Sequence, residues 1–162
     1  MTDAPNDAGG DFDPSGSRIL VVDDNEQNLE LLVEYLDTLG CTIHTAADGL
    51  EALETISAQV PDLILLDVMM PRMSGFEVCR KLKSDPETRD IPIIMVTALN
   101  ELGDIERGVE SGTDDFISKP VNRLELLTRV KSLLRVRGLQ DELDRTLAYL
   151  NDMESPGQGA GR

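Results

Sequence analysis

Apolar residues along this chain come in two textures, short solid runs and helical stripes, and the two alternate. Solid runs predict strands buried on both faces, and stripes at three- and four-residue spacing predict helices that cover a sheet. The strand candidates are RILVV (18–22), CTIHTA (41–46), DLILL (62–66), IPIIMVT (91–97) and DFIS (115–118). The first, third and fourth are almost wholly apolar and belong in the middle of a sheet, whereas DFIS is short and mixed and suits an edge. A first helix follows Asn25, a good N-cap, with Leu29, Leu32, Val33, Leu36 and Leu39 as its stripe and Gly40 placed to end it. A second starts at Asp48 or Gly49, carries Leu50, Leu53 and Ile56, and stops before Pro61. The third opens at Ser74 or Gly75 and runs through Phe76, Val78, Cys79 and Leu82 to Asp85-Pro86. The fourth, Glu101 to Ser111, is weakly apolar (Leu102, Ile105, Val109) and interrupted by Gly108, so it packs lightly and can move. Strands alternating with helices in this way predict an α/β fold with a five-stranded, doubly wound parallel sheet.

The fifth helix is the odd one. From Val121 to about Met153 no proline intervenes, and Gly138 costs only about 1 kcal/mol. Roughly thirty residues at 1.5 Å each span about 45 Å, more than a small domain's diameter, so residues 136–153 should project. On that stretch Val136, Leu139, Leu143, Leu147 and Leu150 recur at steps of three, four, four and three. Packing back onto the sheet fails on length for most of this stripe, which favours a helix pair between subunits through residues 136–150, or docking on another protein, over a merely solvated extension. Residues 1–17 and 154–162 are rich in Gly, Pro, Ser, Asn and Asp with almost nothing to bury, and are expected to be disordered tails.

Composition narrows the partners. The 162 residues, 40% hydrophobic and 28% charged, suit one domain able to hold its own core without disulfide or structural metal. Fifteen Lys and Arg against 31 Asp and Glu leave a net charge of -16, which repels phosphate backbones and argues against direct nucleic-acid binding. Cys41 and Cys79 lie in apolar segments without metal or redox spacing and read as reduced core residues. No apolar stretch is long enough for a membrane span and the N-terminus lacks a signal-peptide pattern, so the cytoplasm is the expected location. His44, the only histidine, reads as a strand-face residue, and the basic run 129–137 as a solvated helix face.

Polar groups fall at strand ends. Asp23 and Asp24 follow the first strand, Asp67 the third, Thr97 ends the fourth, and Lys119-Pro120 follows the fifth. In an open parallel sheet these carboxyl ends share one rim, where ligands bind. A single acid there is often a solvated turn former; three acids, a hydroxyl and a lysine together are harder to read that way. Two carboxylates 4 Å apart repel by about 4 kcal/mol at an effective dielectric of 20, so the group needs a cation or a raised pKa. Oxygen donors without thiolate or imidazole favour Mg²⁺, and with it phosphoryl chemistry.

The stretches ILVVDDN (19–25), DVMMPRMSG after Leu66, VTA (96–98) and DDFISKP ending at Pro120, with AADGLEAL in the second helix, resemble the receiver domain of bacterial two-component response regulators over residues 18–135. The resemblance implies a flavodoxin-like (βα)5 receiver fold of single-domain type, here with an elongated fifth helix. It makes Asp67 the acceptor of a phosphoryl group from a histidine kinase or phosphotransfer protein. Asp24, with Asp23, would hold Mg²⁺ together with Asp67 and the backbone carbonyl of Met69. Lys119 would neutralise a phosphoryl oxygen, and its bond to Pro120 is commonly cis in the family. Thr97 and Phe116 match the switch pair, the hydroxyl moving to the phosphoryl group and the ring turning inward behind it, while Ala98 leaves access. Met69 and Leu99, at positions linked to dephosphorylation, are apolar and cannot orient water, which implies slow loss of the phosphoryl group. The chain then reads as a signalling switch without its own output domain and without enzymatic activity beyond its own phosphorylation and dephosphorylation. It would act through a downstream protein partner or dimerisation. A Mg²⁺-dependent phosphohydrolase resembling the haloacid dehalogenase group is the alternative, though those enzymes carry D-x-D and a capping insertion where this chain has D-D and none. A scaffold indifferent to phosphorylation is a third reading, against which the acids, Thr97 and Lys119 speak.

Overall fold

The computed structural model describes residues 12–98 and 102–160. Strands β1 (Arg18–Val22), β2 (Thr42–Ala46), β3 (Leu63–Asp67), β4 (Ile93–Thr97) and β5 (Asp115–Ser118) form one parallel sheet in the order β2-β1-β3-β4-β5. The three apolar runs are therefore the inner strands and DFIS is an edge, as their composition predicts. Alternation along each strand sorts the core into two layers. Ile19, Val21, Leu63, Leu65, Ile94 and Val96 face helices α1 (Glu26–Asp37) and α5 (Arg123–Ala160). Leu20, Val22, Ile64, Leu66, Ile93 and Met95 face α2 (Gly49–Ala58) and α3 (Gly75–Lys83). Helix α4 (Leu102–Ser111) lies beside α3, with the Arg107 guanidinium 4.5 Å above the Phe76 ring.

Local sequence sets the helix starts. Asn25 and Asp48 accept hydrogen bonds from the amides of Asn28 and Glu51, and Ser74 with Glu77 forms a reciprocal capping box. Asn122 does the same for Glu125, so α5 begins at Arg123 rather than at Val121. Both cysteines are free, and burial pushes their thiols up, in keeping with inert core residues.

The tails differ from expectation. Met1 to Asp11 lie outside the described residues, but Phe12 to Ser17 are docked. Phe12 packs into the α1/α5 layer beside Gly138, Asp13 caps a 3₁₀ turn over Pro14–Gly16, and Pro14 accepts a hydrogen bond from the Cys41 thiol at 3.1 Å. One aromatic anchor and a capped turn are enough to order a segment whose composition reads as disordered. At the other end α5 continues to Ala160, through the Ser155-Pro156 where a tail is expected, as an uninterrupted run of local backbone geometry. Its 38 residues span about 57 Å. Arg137 marks its departure from the domain, donating to the Asp90 carbonyl at 3.0 Å and lying 3.6 Å from Asp62. Past it, Leu139, Leu143, Leu147 and Leu150 are each about half exposed.

The connection from β3 into α3 brings two stretches of backbone into close contact. The Gly75 amide donates to the Val68 carbonyl at 2.9 Å, and a methyl group on Gly75 would overlap the Asp67 carbonyl oxygen and approach Val68 Cα to 2.9 Å. Both obstacles are backbone and cannot swing aside. Gly75→Ala is expected to destabilise the protein by roughly 1–3 kcal/mol, the usual cost of overpacking, read as a lower urea midpoint. An unchanged midpoint would mean that α3 can lift off β3 freely.

Candidate functional site

Three strands deliver the site. Asp23 follows β1 and extends its ladder, the Asp23 amide donating to the Ala46 carbonyl at 3.1 Å. Its Oδ1 accepts from the Asn25 amide at 2.9 Å, which turns the carboxylate back over the strand end. Asp67 closes β3 on the neighbouring strand. Lys119 follows β5 and is held there by its amide, which donates to the Thr97 carbonyl at 2.9 Å, and the Lys119-Pro120 bond is cis. The Lys119 ammonium bridges both acids, 3.1 Å from Asp67 Oδ1 and 3.3 Å from Asp23 Oδ2. Asp24 completes the group, exposed where the other two are buried, with one oxygen from each of the three carboxylates within 4.8 Å of the others.

Charge does not balance here. Burial pushes the Asp67 carboxyl above the usual carboxylate range, and the charges of Asp23 and Asp24 push the same way against the Lys119 hydrogen bond. Burial pulls Lys119 down, yet the hydrogen bond and charge of Asp67, with those of Asp23, outweigh it and hold the ammonium above its ordinary value. The site is thus an anionic hollow with one fixed cation. Its donors are all oxygen, with no thiolate or imidazole in the cluster, which fits a hard divalent cation such as Mg²⁺.

The remaining residues named by the sequence sit around this centre to different degrees. Thr97 ends β4 beside Asp67, almost fully buried. Met69 lies two residues past Asp67 with its side chain exposed, and Ala98 is exposed at the rim. Leu99 lies outside the described residues. Phe116 is away from the acids, half-buried against the α2/α3 layer and seated on Gly108 of α4. His44 is exposed on β2, in register with Leu20 in the middle of β1 and not with the strand end that carries the acids. Two contributors escaped the sequence reading. The Asn25 amide orients Asp23, and Gly75 lets α3 pass under Asp67; the signal for the second is the glycine that closes DVMMPRMSG, since a glycine opening a helix beside a strand end marks close backbone approach.

Comparison with known proteins agrees with this arrangement. The response regulator receiver domain, as a family, matches residues 19–131. Response regulator PleD of Caulobacter vibrioides is 51% identical over 127 residues, 78% of this chain, and the chain spans only 28% of PleD's length. The receiver domain of a signal transduction histidine kinase from Syntrophus aciditrophicus superposes with a TM-score of 0.71 at 40% identity, covering 74% of this chain and 91% of its own. The receiver domain of sensor histidine kinase PA1611 from Pseudomonas aeruginosa PAO1, solved with a magnesium ion coordinated in its active-site cleft, gives 0.69 at 32% identity, covering 74% and 98%. No described helix is long and apolar enough to cross a membrane. With a parallel sheet in this order, an acid cluster closed by a lysine, and a family match over most of its length, the chain belongs to the response regulator receiver domains.

Proposed function

We propose that residues 18–135 form a phosphorylation-controlled signalling switch whose acceptor is Asp67. The observation that carries this is the buried Asp67 carboxylate, bonded to Lys119 and crowded by Asp23 and Asp24. An Asp67 oxygen attacks the phosphorus of a phosphohistidine on a histidine kinase or phosphotransfer protein, and the O–P bond forms as the P–N bond breaks. Asp23, Asp24, Asp67 and the Met69 backbone carbonyl would hold Mg²⁺, which when bound neutralises charge on the transferring oxygens. Lys119 neutralises a further oxygen, and the Thr97 hydroxyl donates to another. The added charge of close to two units is then read through Thr97 and Phe116. The proposed switch signals in the cytoplasm to a downstream protein, and the -16 charge of the chain speaks against direct nucleic-acid contact.

Residues 136–153 form a projecting extension, and the partner that fits it is a second copy of this chain. Spacing of 3.5 residues is a coiled-coil seam, which requires a helix with a matching seam, and a second copy supplies one. A 15-residue seam is about 22 Å long and makes a weak pair, one that a small change in the domain can tip.

Asp67→Asn is expected to abolish labelling by a small phosphodonor while the wild type is labelled in Mg²⁺; equal labelling would sink the assignment. Because Asp67 is held above its ordinary pKa, the folded state binds its proton more tightly than the unfolded chain does, and its ionisation weakens the fold above the folded pKa. Asp67→Asn should therefore melt higher than the wild type at pH 7 without metal, the gap closing as pH falls through that raised pKa. Mg²⁺ should raise the melting temperature of the wild type alone. With Met69 and Leu99 apolar, the phosphorylated form should persist for minutes or longer in Mg²⁺, and release of phosphate within seconds would count against it. Finally, the mass in solution with Mg²⁺ and beryllofluoride should rise towards a dimer with increasing concentration, and Leu143→Gln with Leu147→Gln should return it to a monomer; dimerisation unaffected by the pair of substitutions would place the contact elsewhere.

A further inference from the structure

Gly108 sits in the middle of α4, where glycine costs about 1 kcal/mol relative to alanine, and its own backbone is helical. The ring of Phe116 explains it. A methyl group on Gly108 would overlap Cζ of that ring and lie 2.5 Å from Cε1, so the bare face of α4 is occupied by the aromatic edge. The rest of the ring packs against the layer that contains Phe76, Met95 and Cys79, which makes this its inward, half-buried position. The Gly108 carbonyl accepts from the Ser111 hydroxyl at 2.6 Å and from the Thr113 amide at 3.3 Å, which ties this turn of α4 to the loop leading into β5.

We infer that Gly108 is a positioning residue for the switch, the receptacle that admits the Phe116 ring inward and couples its position to occupancy of Asp67. The inference rests on the phosphorylation reading above. If the ring must be inward when Asp67 carries its phosphoryl group, closing the receptacle penalises that state, and by linkage weakens binding of anything that favours it. Alanine is the test because it adds one methyl group and improves the helix.

Binding of beryllofluoride with Mg²⁺ is measured by titration calorimetry on the full chain as wild type, Gly108→Ala, Phe116→Ala and the double variant, with urea unfolding alongside. Gly108→Ala should weaken binding by about 5- to 100-fold, the range usual for coupled sites, and the same substitution in the Phe116→Ala background should leave affinity within about twofold and not lower the urea midpoint. Wild-type affinity in Gly108→Ala, tighter binding, or an equal loss in the Phe116→Ala background would each overturn the receptacle. A wild type that binds no beryllofluoride would instead refute the phosphorylation reading itself. Should Gly108→Ala fail to fold, Gly108→Ser with Phe116→Leu, which shortens the ring away from the helix, must bind better than Gly108→Ser with Phe116 intact, or the inference fails.

Discussion

Three carboxylates share one ammonium at the carboxyl edge of the sheet, and two negative charges are left over. At separations of up to 4.8 Å each like-charged pair costs roughly 3.5 kcal/mol at an effective dielectric of 20. Water cannot relieve all of it, because Asp23 and Asp67 are buried. The arrangement stands because the strands that present these acids are the most deeply buried in the fold. Ile19 to Val22 and Leu63 to Leu66 expose almost nothing, and their packing anchors an edge that would otherwise spread apart. A stable centre and an unfavourable rim are thus parts of one design, and the rim can be satisfied only from outside, by a cation, a proton or chemistry at Asp67.

The opposite side of the sheet's rim is built loosely. Among the described residues, helix α4 touches its neighbours through the Arg107–Phe76 stack, the Gly108–Phe116 seat and the Cys79 thiol on the Ser111 carbonyl, while Ile105 and Val109 remain exposed. Few buried apolar contacts make an element cheap to shift. Thr97 and Lys119 join this soft region to the rigid centre, since the Lys119 amide bonds to the Thr97 carbonyl while its ammonium holds Asp67. Tight and loose elements meet at the ends of β4 and β5.

The strands, and which of them lie inside the sheet, were legible because each solid apolar run can be buried only between two helical layers, and strand ends then place Asp23, Asp24, Asp67, Thr97 and Lys119 on one rim. What escaped depends on space or on partners distant in sequence. Phe12 stands alone in a Gly- and Asp-rich stretch, without the periodicity that announces burial, yet it packs on α5. Arg129 belongs to a run that reads as solvated, but it reaches Asp115 on β5 at 2.7 Å. Gly108 looks like a weakness in its helix until the ring above it is seen. Local pattern reports which residues need burial; it is silent on which small residue makes room for which large one.

Adjacent residues of β5 explain how the rim can speak to both layers. Successive side chains on a strand point to opposite faces, so Asp115 turns to α5, where it pairs with Arg129, and Phe116 turns to α4, where it rests on Gly108. Electrostatics alone would not carry a signal this far. Screening reduces the field of a new phosphoryl charge within about 8 Å at physiological salt, and the chain already bears a charge of -16 against which two more units are a modest change. A response of α5 to the proposed phosphorylation would therefore travel through packing, and β5 is the strand that touches Thr97's ladder, α4 and α5 at once. In the proposed switch, a displaced Phe116 ring would move the backbone that also carries Asp115, and a small rotation at Arg129 would grow along the roughly 47 Å of helix beyond it. On that reading the long helix would magnify what the short strand does.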